Sequence, residues 1–302
     1  RTIARRAATT DVAHVDVFSG RAFLWAEAAV GLLRRLGVPV VCTLHGGGLP
    51  AFALAEPARV ARLLRHARIV TAPSRYLREA LRPLRDDVRV VPNPIDVAHF
   101  AAPVRDARRR TLLWLRALHA IYAPALALDV VDRLRRDFPD LTLRMVGPDK
   151  DGRAPALRAA IEARGLAAHV SLVGPVAPAR VPHELAAADV FLNTSTVDNT
   201  PVSLLEAMAA GCCVVSTAVG GVPWLVRDGV DALLAPPGDA AALATRVARV
   251  LREPGTARAL SAAAQATAAR HDWNLVAPAW ESLLAEAATH APTRLGRTRP
   301  AA

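Results

Sequence analysis

The chain has 302 residues, 52% of them hydrophobic and 22% charged, and this predicts a globular protein with two moderate hydrophobic cores. Its formal charge of +11 comes almost entirely from arginine, since Lys150 is the only lysine. The charge is spread along the chain, no nucleic-acid-binding module is recognisable and only 4% of residues are aromatic. We therefore exclude nucleic acid as a partner.

Strands and helices alternate along the sequence, which is typical of an α/β fold with parallel sheets. In the first part, strands are predicted at residues 12–18, 38–44, 69–72 and 88–91, with helices at 22–36, 56–66 and 74–84. In the second part, strands are predicted at 111–116, 141–146, 170–173, 190–193 and 214–217. The helices of that part are predicted at 124–137, 154–164, 201–210, 240–251, 257–269 and 275–287.

A domain boundary is expected within residues 92–107, where prolines interrupt the pattern. The expected divisions are 1–107 for an N-terminal domain, 108–274 for a C-terminal domain, 275–290 for a terminal helix and 291–302 for a disordered tail. These divisions predict two Rossmann-like domains. Ligands of the sheets in such domains bind beyond the carboxyl ends of the strands.

The three cysteines, Cys42, Cys212 and Cys213, are odd in number and two are adjacent, so the spacing supports neither a disulfide framework nor a metal site. Buried thiols in a reducing cytoplasm are the simpler interpretation. The most apolar early run, residues 22–33, is too short for a membrane span and contains Glu27. We expect a cytoplasmic protein without signal peptide or membrane span, and its basic surface leaves peripheral association with the inner membrane face open.

The segment from residue 198 to residue 211 carries the most specific signal. Thr200 is predicted as a helix N-cap, Pro201 as the first helical residue and Gly211 as the stop. Asp198 and Glu206 flank this helix start, eight positions apart. Free backbone N–H groups and a positive dipole end beside two carboxylates suit a ligand that is anionic at one point and rich in hydroxyls elsewhere, such as a nucleotide sugar.

Taken alone, two acids at this spacing are an ordinary loop residue and an ordinary helix residue. Residues 198–223 together resemble the acidic-x7-Glu signature of glycosyltransferase family 4, the retaining enzymes of GT-B fold. The resemblance implies that Asp198 binds donor-sugar hydroxyls and that Glu206 binds the nucleotide ribose. The family usually has glutamate at the first position, so Asp198 is a shorter acid. The other residues of this segment assigned to substrate binding are Asn199, Thr200, Pro201 and Leu205.

Two further segments are assigned roles through the same resemblance. His45, followed by Gly46 and Gly47, resembles the loop whose histidine faces the donor sugar, although a structural histidine is the ordinary interpretation at a strand end. Arg116 matches the arginine that neutralises the donor diphosphate. The lysine that often follows five residues later in the family is replaced here by Ile121.

Glycines that follow predicted strands are assigned to the nucleoside pocket by resemblance, namely Gly147 and Gly174 together with Val173. Asp149 and Asp151 form an Asp-x-Asp pattern that could hold a cation, but the resemblance implies a site without metal or cofactor. His183 and Glu184 are interpreted as surface helix residues.

The resemblance implies a GT-B architecture of two Rossmann-like domains facing a cleft, with a truncated N-terminal domain that lacks the family's glycine-rich first loop. It implies a retaining glycosyltransferase that moves a sugar from a nucleotide diphosphate sugar to a saccharide or lipid-linked acceptor, with His45, Arg116, Asp198 and Glu206 at the reacting centre. A nucleotide-sugar epimerase of the same fold and a non-catalytic nucleotide-sugar-binding protein remain alternatives.

Overall fold

A computed structural model describes residues 2–7 and 9–289 of the chain. The described residues form two compact units. The first contains those up to Pro92 together with those from Val276 onward, and the second is Asn93–Leu275. The tail predicted at 291–302 lies outside the described residues.

The first unit contains a parallel sheet of four strands in the order β1-β2-β3-β4. These are β1 (Ala13–Val17), β2 (Val40–Leu44), β3 (Ile69–Ala72) and β4 (Arg89–Val90). Its helices up to Pro92 are α1 (Thr2–Ala7), α2 (Arg21–Arg35), α3 (Leu49–Ala55), α4 (Pro57–His66) and α5 (Arg75–Leu81). Phe23, Ala26, Val30 and Leu33 recur at helical spacing on α2 and are buried in the core of this unit. Their spacing explains why α2 forms a helix that packs through one face.

The second unit contains a parallel sheet of six strands in the order β10-β9-β8-β5-β6-β7. These are β5 (Thr111–Leu115), β6 (Thr142–Val146), β7 (Val170–Gly174), β8 (Val190–Asn193), β9 (Cys213–Thr217) and β10 (Leu233–Ala235). Its helices are α6 (Val97–Phe100), α7 (Pro124–Leu134), α8 (Ala154–Ala163), α9 (Val181–Ala187), α10 (Val202–Ala209), α11 (Val222–Leu225), α12 (Ala240–Arg252) and α13 (Pro254–Ala268).

The strand order of the second sheet reverses between β5 and β8. The chain first adds β6 and β7 on one side of β5, and then adds β8, β9 and β10 on the other side. In an open parallel sheet, the loops that leave the carboxyl ends of two such strands diverge and leave a crevice. The topology therefore marks the ends of β5 and β8 as the place where this unit binds a ligand.

The last described helix, α14 (Trp273–Thr289), completes the first unit from Val276 onward. Val276, Leu283 and Ala287 are buried with Val41 and Ile69 of the sheet. On the same helix, Glu286 forms an ion pair with Arg89. This segment is therefore held in the first unit by both apolar packing and a charge pair.

The predicted α/β alternation is confirmed, while several short elements were missed, among them β10, α1, α3 and α6. Each spans seven residues or fewer, too short for periodicity to identify. The interpretation of Glu184 as a surface residue is wrong. Its side chain is buried and forms two hydrogen bonds, 2.9 and 3.1 Å long, with the guanidinium of Arg144 on β6. A buried carboxylate requires such a partner, and the distant arginine could not be identified from sequence spacing.

Candidate functional site

Arg116 is the first residue after β5 and lies at the topological switch point. Its backbone N–H donates to the carbonyl of Val146 at 3.0 Å, which extends the pairing of β5 with β6 by one residue. Its side chain is only 13% exposed and its guanidinium Nη2 donates to Asp198 Oδ2. The structure therefore brings together two residues that were predicted separately as site residues.

Asp198 lies in the loop that leaves β8, on the other side of the switch point. Its Oδ1 accepts a hydrogen bond of 2.9 Å from the backbone N–H of Asn199, and its Oδ2 lies 3.1 Å from the hydroxyl of Ser195. Ser195 is fully buried, and its hydroxyl is also 2.8 Å from Asn193 Oδ1. Both carboxylate oxygens are thus engaged by the protein, so Asp198 is held in a fixed position.

The helix that follows, α10, begins one residue later than predicted. Pro201, with φ −66° and ψ 117°, is the N-cap, and no side chain caps the helix start. The prediction that Thr200 is the N-cap and that Pro201 is the first helical residue is therefore wrong. The extended ψ of Pro201 prevents it from being helical, while its carbonyl accepts the first helical bonds from Leu204 and Leu205, 3.1 and 3.3 Å long.

Two hydroxyls near the start of α10, those of Thr200 and Ser203, are buried and have no hydrogen-bond partner within residues 2–7 and 9–289. The first N–H groups of a helix also lack intrahelical partners. Unpaired buried hydroxyls cost free energy, and a polar ligand would remove that cost. The start of α10 therefore offers hydrogen-bonding capacity to a ligand.

Glu206 lies in the second turn of α10 and is half-buried. Burial raises the pKa of its carboxyl, and the positive charges of Arg116 and His99 partly offset that rise. Glu206 therefore belongs to the same electrostatic neighbourhood as the Arg116–Asp198 pair. The side chain of Leu205 is fully buried in the apolar core beneath α10, and its assignment to substrate binding stays a prediction.

Gly147 is the first residue after β6, and Gly174 is the last residue of β7. The backbone N–H of Gly147 donates to the carbonyl of Gly174 at 2.9 Å. Gly147 has φ 146°, and a Cβ there would lie 1.8 Å from the carbonyl oxygen of Arg116. Glycine is thus required at this position by the backbone of Arg116. Gly174 has φ 80° and open space around it, and the preceding Val173 packs partly buried against the core.

In the first unit, His45 is the first residue after β2, and its N–H donates to the carbonyl of Val17 at 2.8 Å. Its ring Nε2 lies 2.9 Å from Asp16 Oδ1, and its ring stacks on that of Phe18 with 5.1 Å between centroids. Gly46 follows with φ 81° and begins the turn that contains Gly47. His45 is thus oriented by a carboxylate and by a ring.

The sequence interpretation missed Asp16, Tyr122 and Ser195. Asp16 is the partner of His45, and Tyr122 lies with its ring centroid 4.7 Å from the guanidinium carbon of Arg116. Polar residues at the carboxyl ends of neighbouring parallel strands are a usable signal, and this signal could have identified Asp16. Nothing in the local spacing pointed to the other two residues.

Both carboxylates of the Asp-x-Asp pattern accept hydrogen bonds from backbone N–H groups in this structure. Asp149 accepts hydrogen bonds from the N–H groups of Arg153 and Ala154, at 2.8 and 3.0 Å, and these bonds hold the pKa of its carboxyl below the usual range. Asp151 accepts a bond of 2.8 Å from the N–H of Ala120 and pairs with His119. Among the described residues, no group of three or more histidine, cysteine, aspartate or glutamate side chains is placed to hold a metal ion.

Comparison with known proteins identifies the family of both parts of the chain. Residues 109–253 match the model of glycosyl transferases group 1, and residues 1–99 match the model of glycosyltransferase family 4. The D-inositol 3-phosphate glycosyltransferase of Thermobispora bispora is 30% identical over 308 aligned residues, which cover 91% of this chain and 71% of the relative. The phosphatidyl-myo-inositol mannosyltransferase of Mycobacterium tuberculosis is 32% identical, over 79% of this chain and 65% of that protein.

Solved structures show the same fold. HepE of Anabaena, crystallised in complex with UDP, superposes with a TM-score of 0.80 at 23% identity and covers 94% of this chain and 82% of its own. The sucrose-phosphate synthase of Thermosynechococcus elongatus also gives 0.80, at 21% identity, over 94% of this chain and 76% of that one. The predicted GT-B architecture is confirmed. Separately, none of the helices within residues 2–7 and 9–289 has the length and apolar character needed to cross a bilayer.

Proposed function

This chain belongs to glycosyltransferase family 4, and on that premise we propose that it transfers a sugar from a nucleotide diphosphate sugar to an acceptor hydroxyl with retention of anomeric configuration. The observation that carries the proposal is the meeting of Arg116 and Asp198 at the switch point of the second sheet, with Glu206 close enough to respond to the charge of Arg116. A guanidinium beside two acids, at a helix start with hydroxyls that have no partner among the described residues, matches the chemistry of a diphosphate joined to a polyol.

In this mechanism the bond between the anomeric carbon and the diphosphate oxygen breaks while the acceptor oxygen bonds to the same face of that carbon. The acceptor proton moves to the departing diphosphate, so no enzyme base is needed. Arg116 stabilises the charge that develops on the leaving group, and donors fixed in advance are the most effective for this purpose.

The remaining roles follow the resemblance. Glu206 binds the ribose diol, Asp198 with Asn199 and Thr200 binds the donor sugar, Gly147, Val173 and Gly174 border the nucleoside, and His45 orients the sugar. The proposal includes no metal and no resident cofactor. It is supported by the engagement of Asp149 and Asp151 with backbone N–H groups.

A thermal-shift panel tests the donor site. UDP, GDP, ADP and TDP are each added to the chain and to its Glu206→Ala variant. A nucleotide at one hundred times its dissociation constant stabilises the protein by about 2.7 kcal/mol. We expect one nucleotide to stabilise the chain and to lose this effect in the variant. If none of the four stabilises the chain, the proposed function is wrong.

Two product assays test the reaction itself. With the selected nucleotide sugar and an acceptor, the product anomer is read by proton NMR, and an inverted anomer would rule out retention. Without acceptor, conversion of the donor into another nucleotide sugar would indicate an epimerase instead. The names of the relatives suggest acceptors of the inositol phosphate and phosphatidylinositol type, so these are the first acceptors to assay.

We further propose that the first unit associates peripherally with an anionic membrane surface from a reducing cytoplasm. Helix α2 exposes Trp25 (79%) and Leu24 (55%), and the exposed arginines Arg5, Arg6 and Arg21 lie on the same helix or on α1. An apolar cavity of about 530 Å³ opens between α1, β1 and α2. Exposed aromatic residues among cations are the usual means of binding a lipid interface. All three cysteines are buried and free, which supports a reducing compartment.

Vesicle sedimentation tests this association. We expect the chain to sediment with vesicles that contain phosphatidylglycerol and to remain in the supernatant with pure phosphatidylcholine. Trp25→Ser should reduce sedimentation several-fold. The matched control is Trp224→Ser, which removes an exposed tryptophan from the second unit, and an equal loss in that control would contradict the proposal.

A further inference from the structure

The guanidinium of Arg116 is restrained both by a ring and by a carboxylate. The ring of Tyr122 lies 4.7 Å from the guanidinium carbon, within cation–π distance, and Asp198 accepts a hydrogen bond from Nη2. A free arginine side chain has many rotamers and loses their entropy when it binds a ligand. Restraint by two partners removes most of that freedom before any ligand arrives.

The backbone that carries Tyr122 is itself clamped by the loop that leaves β8. The carbonyl of Tyr122 accepts a bond of 2.7 Å from the hydroxyl of Thr194, and that hydroxyl accepts one of 2.9 Å from the indole N–H of Trp114. The carbonyl of Ile121 accepts a bond of 2.7 Å from the N–H of Thr196. Because Thr194 and Trp114 are buried, these hydrogen bonds fix the backbone from which the ring of Tyr122 extends.

Contact through the ring face leaves the in-plane donors of Arg116 available. A guanidinium stacks on an aromatic face while its N–H groups point outward in its own plane. Within the part of the chain that the structure describes, Asp198 is the one side-chain hydrogen-bond partner of Arg116. The N–H on Nε is buried and has no partner among the described residues, so the terminal N–H groups that Asp198 does not engage are the ones left to bind phosphate oxygens.

Arg116 is the one arginine or lysine in residues 116–123, the segment between β5 and α7. The position five residues after Arg116 is Ile121. In the same loop His119 is paired with Asp151, 3.3 Å from its carboxylate. The donor diphosphate thus depends on how well Arg116 is oriented.

We infer that Tyr122 is a positioning residue for the reaction: its ring holds the guanidinium of Arg116 in the orientation that binds the donor diphosphate. This inference rests on the proposed function. Tyr122 makes no contact with the reacting atoms in it. The inference assigns its role to the ring, since no hydrogen bond joins the phenol hydroxyl to any described residue.

The test compares Tyr122→Phe, which keeps the ring, with Tyr122→Leu, which removes it at similar size. Dissociation constants are measured by calorimetry for the nucleoside diphosphate selected by the thermal-shift panel and for its nucleoside, which lacks phosphate. Loss of a cation–π contact that orients a charged donor should weaken diphosphate binding about five- to tenfold in Tyr122→Leu. Nucleoside binding should be unchanged, and Tyr122→Phe should behave as the parent chain within twofold.

A double-mutant cycle separates positioning from general damage to the site. In an Arg116→Gln background, Tyr122→Leu should have no further effect on diphosphate affinity. The matched control is Tyr76→Leu, which removes the other tyrosine, in the first unit, and should leave both affinities unchanged.

Three results would overturn the inference while leaving the proposed function intact: unchanged diphosphate affinity in Tyr122→Leu, an equal loss of diphosphate and nucleoside affinity, or additive effects in the cycle. Absence of nucleoside diphosphate binding by the parent chain would instead remove the proposed function, and this inference with it.

Discussion

The carboxylate of Asp198 is hydrogen-bonded to the guanidinium of Arg116, although 82 positions separate the two residues in the sequence. The pair joins the ends of β5 and β8 at the switch point of the second sheet. Asp198 therefore acts as a counterion in addition to any contact with the sugar. This relationship predicts opposite effects on nucleotide binding and on transfer.

Asp198→Asn should leave nucleoside diphosphate affinity unchanged or raise it, because it removes a negative charge beside the diphosphate site. Sugar transfer should fall at least about tenfold, because a charged acceptor of sugar hydroxyls is lost. Calorimetry and a transfer assay measure the two effects. The control is Asp140→Asn, which breaks the Arg110–Asp140 pair before β5 and should change neither quantity. Weaker diphosphate binding in Asp198→Asn would contradict the counterion role.

Glu206 should lower the stability of the folded protein at pH 7 while contributing to nucleotide affinity. Burial raises the pKa of its carboxyl, so the folded protein retains this proton to a higher pH than the unfolded chain does. The stability that this group contributes is present below the unfolded pKa of about 4.3 and is lost as the pH rises through the folded value. Glu206→Gln should therefore raise the melting temperature at pH 7 while lowering nucleotide affinity. Well below the unfolded pKa the stability difference should vanish, because the carboxyl is then protonated in both states.

Glu184 provides the contrast for that experiment, because its buried carboxylate is paired with Arg144. Glu184→Gln should destabilise the fold by about 1–3 kcal/mol, since it weakens a bidentate charge-assisted contact. Denaturant unfolding at pH 7 measures whether each of the two substitutions raises or lowers the free energy of unfolding. If both substitutions destabilise, burial is not the dominant influence on Glu206.

Gly147→Ala should destabilise the second unit by at least about 3 kcal/mol. Its φ of 146° disfavours any side chain, and the new Cβ would lie 1.8 Å from the carbonyl oxygen of Arg116. Gly152→Ala is the control, since Gly152 has φ 68° but no atom within 4 Å of the new Cβ, and it should cost only about 1–2 kcal/mol. Equal unfolding free energies for the two variants would show that the approach of Arg116 is not what requires glycine.

Asp16→Asn should lower sugar transfer about tenfold with nucleotide affinity unchanged, because it weakens the 2.9 Å contact that orients His45 and leaves the second unit untouched. Transfer rates and calorimetry measure this separation. Asp86→Asn alters an exposed aspartate of the same unit and serves as the control. A drop in nucleotide affinity in Asp16→Asn would exclude the proposed role for His45.

The sequence by itself determined the α/β class, nearly every long element and the segment that contains Asp198 and Glu206. Periodic apolar residues such as Phe23 and Val30, and strands such as β3 and β8, are local signals that can be seen within a few positions.

Only the tertiary structure decided which residues act together. Asp198 lies against Arg116 and Asp16 against His45 because parallel strands bring their carboxyl ends to one edge of a sheet, and no local pattern records such a contact. Glu184 of α9 pairs with Arg144 of β6, 40 positions earlier, for a similar reason, since packing brings together elements that are separate in the sequence. The exact start of α10 at Val202, after the N-cap Pro201, likewise depended on backbone torsion rather than on residue preference. Burial, which sets the raised pKa of Glu206, is a property of the packed unit and has no counterpart in the linear chain.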